Sequence, residues 1–302
     1  MGISLYNIKK WTRMLSGNSI YHVNQGVGKN FDINEIRGYY NDLTEKVTKT
    51  PELMENHGFP VLETPDGKKV EFAIGIFQYG LGAYDLYLQT NEEKYLVRFR
   101  ECIDWAMEHQ QENGSWDSFS HKHPDYPYSA MAQGEGASLL IRGHKAFGEE
   151  KYLKAAIAAV DFMLLPVEEG GTAIYKDGSV FLAEVVCMPV VLNGWIFALW
   201  GLLDCVIATG NERYSELLEL SYKSLEEYLP KFSRKYWSMY SLDHMIASPF
   251  YHNLHVAQLE AMYKITGNPL FKEYSAKWHE FSNNKLYKTK AFIKKAFQKI
   301  ME

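Results

Sequence analysis

Carboxylates, phenols and imidazoles gather in three short stretches of this 302-residue sequence, each at the edge of an apolar run. The first runs from Tyr126 through Tyr128, Ser129, Ala130, Met131, Ala132, Gln133, Gly134 and Glu135 to Gly136, and Gln133 and Glu135 interrupt what is otherwise the apolar start of a helix. Its two helical glycines lower helix propensity by roughly 1 kcal/mol each relative to Ala, so close packing or a ligand must offset them. The second stretch centres on Glu184. It follows a segment that reads as extended from Ala173 to Glu184, with Lys176-Asp177-Gly178-Ser179 as a hairpin turn, and it precedes an apolar run broken only by Asn193. A carboxylate at such a boundary is partly desolvated, which moves its pKa up toward the range useful for proton transfer. The third stretch is Tyr236 to His244, then Ser248 to His255, with Tyr240 and Tyr251 flanking a short connection into a helix. His252 and His255 share a helix face at three-residue spacing, but no third ligand stands nearby, so neither a metal nor another cofactor is expected. The first two clusters each have a plain structural alternative: a tight helix contact beside a solvated Glu135, and a charge at a hairpin edge for Glu184.

The elements that must position these residues repeat. Four turns, around Asn91, Gly148, Gly210 and Gly267, each follow an apolar helical stretch and precede a more charged one. Their aromatic positions Tyr95, Tyr152, Tyr214 and Phe271 recur at roughly 60 residues, the length of a helical hairpin with its connection. The apolar stretches, Phe72 to Leu88, Ala130 to Phe147, Val190 to Ile207 and Leu254 to Ile265, suit helices walled on all sides, and their partners suit an outer layer with one face in water. Gly210 and Gly267 are placed to supply left-handed caps, and Asn211 to start the next helix. The expected fold is all-α, an (α/α) toroid of about four helical hairpins with small β-hairpin insertions, although a straight solenoid uses the same units. It occupies 1–302 as one domain: a helical lead-in over 1–70, hairpin repeats over 72–283 and a basic helix over 284–302. The long irregular stretch from Asn113 to Pro127 is a candidate functional loop.

The net charge of −5 leaves no basic footprint for nucleic acid. The one basic run, Lys285, Lys288, Lys290, Lys294, Lys295 and Lys299, reads as a solvated helix face, with a polyanion or membrane contact as the alternative. No membrane span is expected, and the start lacks the apolar core and cleavage site of a signal peptide, so the expected location is cytoplasmic unless a leader has been removed. Cys102, Cys187 and Cys205 form no metal spacing. With 21 Tyr and 7 Trp, the chain has rings to stack on sugars as well as to fill a core.

From about Phe72 to Glu280 the sequence resembles the C-terminal toroid domain of the D-glucuronyl C5-epimerases, which convert glucuronate to iduronate within heparan-type polysaccharides. The markers are Phe77-Gln78-Tyr79-Gly80-Leu81, Tyr128-Ser129-Ala130-Met131-Ala132-Gln133-Gly134, Val191-Leu192-Asn193-Gly194, and Met239-Tyr240-Ser241-Leu242-Asp243-His244 followed by Tyr251-His252. The resemblance implies that Glu184, Tyr240 and Tyr251 are the catalytic groups around the sugar. It implies a binding surface of Tyr79, Tyr128, Gln133, Glu135, Arg142, Asn193, His252 and His255, a substrate that is a uronic-acid polysaccharide or oligosaccharide, and a homodimer. Two positions depart from the family: Val185 stands where a tyrosine follows the glutamate, and Asp243 stands where an arginine can hold the substrate carboxylate. His252, His255, Asn193 or Arg142 must then supply the donors that an anionic intermediate needs. The expected activity is uronate C5 epimerisation. A lyase, a hydrolase using Glu135 or Asp243 as its second carboxylate, and a noncatalytic sugar-binding relative are the alternatives.

Overall fold

The computed structural model describes residues 22–50, 58–64 and 66–301, with the side chains of the last helix as far as Gln298. Four helical hairpins follow one another: α2 (Ala73–Thr90) with α3 (Glu93–His109), α4 (Ala130–Phe147) with α5 (Glu150–Leu164), α6 (Leu192–Thr209) with α7 (Glu212–Tyr228), and α8 (Pro249–Thr266) with α9 (Pro269–Asn283). A short helix α1 (Thr44–Thr48) precedes them and α10 (Lys285–Met301) follows. The even-numbered helices α2 to α8 form the inner layer of an α/α toroid and the odd-numbered ones the outer layer.

Each inner helix ends in the same way. Asn91, Gly148, Gly210 and Gly267 adopt left-handed φ of 56°, 71°, 64° and 70°, and each donates its N–H to a carbonyl four residues back. Asn211 and Asn268 then cap the next helix through their side chains. The inner helices are apolar because they are enclosed. α6, 18 residues of mean hydropathy 1.5, is long and apolar enough to cross a membrane, yet 72% of it is buried within the fold. It can sit against α4 because neither helix has a side chain at the crossing: a Cβ on Gly201 would lie 2.3 Å from the Cα of Gly134.

The extended segment does form a hairpin. β3 (Ala173–Lys176) pairs antiparallel with β4 (Ser179–Leu182), turning through Asp177 and Gly178 at φ 50° and 79°. A second two-stranded piece, β1 (Val61–Glu63) with β2 (Lys69–Glu71), precedes α2.

The lead-in departs from the helical expectation. Residues 1–21, 51–57 and 65 lie outside the described residues, and among the rest of 1–70 the only helix is the five-residue α1. Residues 22–48 run instead from α8 to α2 across the interior of the ring. His22 packs 4.6 Å from the ring of Phe250, Tyr39 and Tyr40 pack on Trp200 of α6, and the Leu43 carbonyl touches the place where Gly82 would carry a Cβ. The segment therefore fills the opening between the last and the first inner helix, which a regular helix could not do while following that path.

Gly201→Ala should lower stability by about 1–3 kcal/mol, because the added methyl meets backbone that cannot yield. The check is urea unfolding of wild type and variant; an unchanged midpoint would contradict the crossing described.

Candidate active site at the amino-terminal ends of the inner helices

Glu184 follows β4 by two residues. Around it, Ala183 donates to the Thr172 carbonyl while the Ala130 N–H donates to the Ala183 carbonyl, so the hairpin and the start of α4 are tied together beside it. Its carboxylate lies against α6, where a Cβ on Gly194 would be 2.4 Å from Oε2. The same start of α6 is laced to the Tyr240 segment, Leu192 donating to the Tyr240 carbonyl and Leu242 to the Val190 carbonyl. Tyr251 sits in the first turn of α8, capped by Ser248. Its ring lies 4.8 Å from that of Tyr240, and the two hydroxyls are hydrogen-bonded.

Three residues distant in sequence thus come together, and their electrostatics are linked. Burial raises the pKa of Glu184 to about 7, against the opposing pull of Lys122 in the long loop. Burial and then the negative charge of Glu184 push the Tyr251 phenol above its ordinary value. Glu184, Tyr240 and Tyr251 keep some exposed surface although enclosed, as groups lining a recess do.

Glu135 joins them from α4. It is fully buried, Oε1 accepts from Gln78 Nε2 at 2.9 Å, and Oε2 has no hydrogen-bond partner. Burial holds its pKa well above the ordinary range; Gln78 and then Lys46 act against that, and Glu184 adds to it. This setting favours the protonated form of the carboxyl, which can donate a hydrogen bond. Lys46, in the middle of α1, answers it: burial lowers its pKa to about 8 while Glu135 draws it back up.

The remaining residues expected at the site are distributed otherwise. Asn193 is buried in the first turn of α6 with Oδ1 unpartnered. Gln133 is buried on another side of α4 from Glu135, its Nε2 3.5 Å from the Trp116 carbonyl. Arg142 does not face the recess entrance. It lies two turns below Glu135 on the same face of α4, ion-paired to Asp204 and donating to the Gly38 carbonyl at 2.9 Å. His252 and His255 point away, toward α9: Ser238 N–H donates to His252 Nδ1, His252 Nε2 bonds the Trp278 carbonyl at 2.9 Å, and the Ser238 hydroxyl lies 3.1 Å from His255 Nδ1. Burial lowers the pKa of His252 to about 3 and that of His255 well below normal, so neither carries charge. Tyr79 packs among Arg98, Glu101 and Cys102 of α3, and Tyr128 donates to Gln111 beside Phe162. Asp243 accepts from the Ser241 hydroxyl and the Met245 N–H within its own turn. Among the described residues no group of three His, Cys, Asp or Glu could hold a metal ion.

Sequence reasoning did not select Gln78, Lys46, Lys122 or Tyr39, whose buried hydroxyl lies between Glu135 and the Arg142–Asp204 pair. Gln78 was within reach, seven residues before Asp85 on one face of α2. Nothing about α1 signalled Lys46.

Residues 119–280 match the family described as D-glucuronyl C5-epimerase C-terminus. A D-glucuronyl C5-epimerase of Caenorhabditis elegans is 28% identical over 227 residues, 66% of this chain and 37% of that protein. An uncharacterised protein of Methanocaldococcus jannaschii is 31% identical over 157 residues, covering 50% of this chain and 51% of the other. The chain thus spans about half or less of the length of these relatives. Among solved structures, cellobiose 2-epimerase from Bacillus thermoamylovorans aligns with TM-score 0.55 at 12% identity, over 79% of this chain and 72% of that one. An α-1,6-mannanase from Salegentibacter aligns with TM-score 0.50 at 13% identity, over 93% and 87%. These two share the fold. The match across more than half of the sequence, over the segment that contributes Glu135, Glu184, Tyr240 and Tyr251, makes this chain a member of the D-glucuronyl C5-epimerase C-terminal family.

Proposed function

We propose that the protein is a carbohydrate-active enzyme that epimerises C5 of D-glucuronate to L-iduronate residues in a polysaccharide or oligosaccharide. The observation that carries this reading is the convergence of the Glu184 carboxylate with the Tyr240–Tyr251 hydroxyl pair beside a second buried carboxyl, Glu135, whose pKa burial raises. Inversion at C5 takes a proton from one face of the sugar and returns one to the other, so it needs two acid/base groups. Glu184, with a pKa near neutrality, takes the C5 proton. The electron pair left behind is delocalised into the substrate carboxylate. Tyr251, kept protonated by burial and by the charge of Glu184, delivers a proton from the opposite face, and Tyr240 restores it through their hydrogen bond. In the reverse direction the roles exchange.

The intermediate carries extra negative charge on the substrate carboxylate, and preorganised donors aimed at that charge dominate such reactions. The arginine of the family is Asp243 here and is engaged within its turn. Lys46 and the protonated Glu135 take over its task. Gln78 holds Glu135 by Oε1, leaving Oε2 to donate to the substrate. The Lys46 ammonium is coupled to Glu135 and brings positive charge to that side of the recess.

Incubation with a panel of uronate polymers in heavy water tests the reaction class. Deuterium should appear at C5 without a new ultraviolet-absorbing double bond, which a lyase would create, and without new reducing ends, which a hydrolase would create. Glu184→Gln should lower the exchange rate by about 10²–10⁴-fold while leaving polymer binding in place. Exchange at the wild-type rate in this variant would refute the assignment of the base, and absence of exchange with every polymer would refute the activity.

The pH profile of kcat/KM should be a narrow bell. Glu184 acts as the carboxylate, above its pKa, so the acid limb lies near 7; Lys46 acts as the ammonium, below its pKa, so the alkaline limb lies near 8. Lys46→Gln should remove the alkaline limb, leave the acid limb and raise KM. An alkaline limb unmoved by that substitution would assign it to another group.

A further inference from the structure

We propose that the outward face of α10 docks on an anionic phospholipid membrane. The helix is held to the body by one side: Ala291 and Lys295 are buried, Tyr287 packs edge-on against Phe281, and Gln298 accepts from the Ile246 N–H while donating to the His244 carbonyl. The opposite side is apolar and open. Leu286, Ile293 and Phe297 are 80%, 59% and 68% exposed, and at spacings of seven and four residues they form a single stripe. With Tyr236, Thr289, Lys290, Lys294 and Gln298, they line a shallow groove of about 680 Å³ that reaches the edge of the contact with the body.

Charge selects the occupant. The sequence of α10 contains six lysines and no acidic residue, whereas the chain as a whole is net negative. Lys290 and Lys294 border the stripe, with Lys290 folded over the Tyr236 ring at 4.3 Å. A second copy of the chain would set these lysines against their like. A uronate polymer would satisfy the lysines but offers nothing to three exposed aliphatic and aromatic side chains. A membrane with acidic headgroups meets both demands: the stripe enters the acyl boundary while the lysine stems lie along it with their ammonium groups at the phosphates.

Flotation with vesicles of phosphatidylcholine alone, or mixed with phosphatidylglycerol, tests this. The full chain should float with the mixed vesicles and not with phosphatidylcholine, and high salt should weaken its binding. The double variants Ile293→Ser/Phe297→Ser and Lys290→Glu/Lys294→Glu should each bind the mixed vesicles at least about tenfold more weakly, with thermal unfolding as in wild type because the altered side chains are exposed. Wild type failing to float with mixed vesicles would overturn the proposal, and so would equal binding by the serine variant. Two findings made without vesicle binding would also overturn it: retention on a uronate polymer that depends on Lys290 and Lys294, or a dimer that the serine substitutions dissociate. These measurements do not involve the sugar reaction, so they stand apart from the outcome of the isotope-exchange experiment.

Discussion

The buried pair Arg142–Asp204 is the interaction on which the rest of the interior depends. A charge that far from water needs an opposite charge and hydrogen-bond acceptors around it. Arg142 is therefore bonded to Asp204 of α6, to the Ser138 carbonyl of its own helix and to Gly38 of the lead-in, and Tyr40 donates to Asp204 at 2.8 Å. Burial works against the guanidinium charge, and Asp204 and Tyr40 outweigh it. One cluster thereby joins two inner helices to the segment that fills the ring, and its two opposite charges are paired, although Arg142 Nε and the Tyr39 hydroxyl find no partner.

The entrance to the same interior is built on the opposite principle. Gln78 and Asp85 on α2, like Glu135 and Arg142 on α4, are seven residues apart, so each helix carries two polar positions on one face about 10 Å apart. The lower position of each is engaged: Arg142 by Asp204, and Asp85 by the Tyr39 N–H at 3.2 Å. In the upper layer, Glu135 and Glu184 each retain an unpartnered oxygen. Buried polar atoms left without partners destabilise a fold, and they persist where a ligand completes them. Burial raises the pKa of both carboxyls, that of Glu184 to about 7, and the charge of Glu184 pushes that of Glu135 up further, which favours acid chemistry at one and base chemistry at the other.

The terminal helix belongs to the site as well as to the surface. The loop from Tyr240 to Ile246 contributes a phenol to the recess, and Gln298 of α10 holds two of its backbone groups. Lys295, buried on the same side, lies 5.7 Å from the Tyr240 ring. α10 therefore presents lysines and apolar side chains outward while steadying the Tyr240 segment inward.

What the sequence determined by itself was everything written in local chemistry. The hairpin period, the left-handed caps at Gly210 and Gly267, the turn at Asp177-Gly178 and the capping asparagine all act within a few residues, and each forms as its residues require. Glu184, Tyr240 and Tyr251 were legible through the family motifs around them. The tertiary structure alone decided which way the other polar residues turn. Tyr79 and Gln78 are neighbours, yet a 100° step along the helix sends one to the outer layer and the other to Glu135. His252 and His255 look as suited to a substrate as any pair of imidazoles, but Trp237, Ser238 and Trp278 enclose them and remove their charge. Lys46 had no signal at all, because its place beside Glu135 arises from the path of residues 22–48 across the ring. Helix rotation and chain crossing are settled by packing against partners distant in sequence, and that information is shared among elements rather than carried by any one of them.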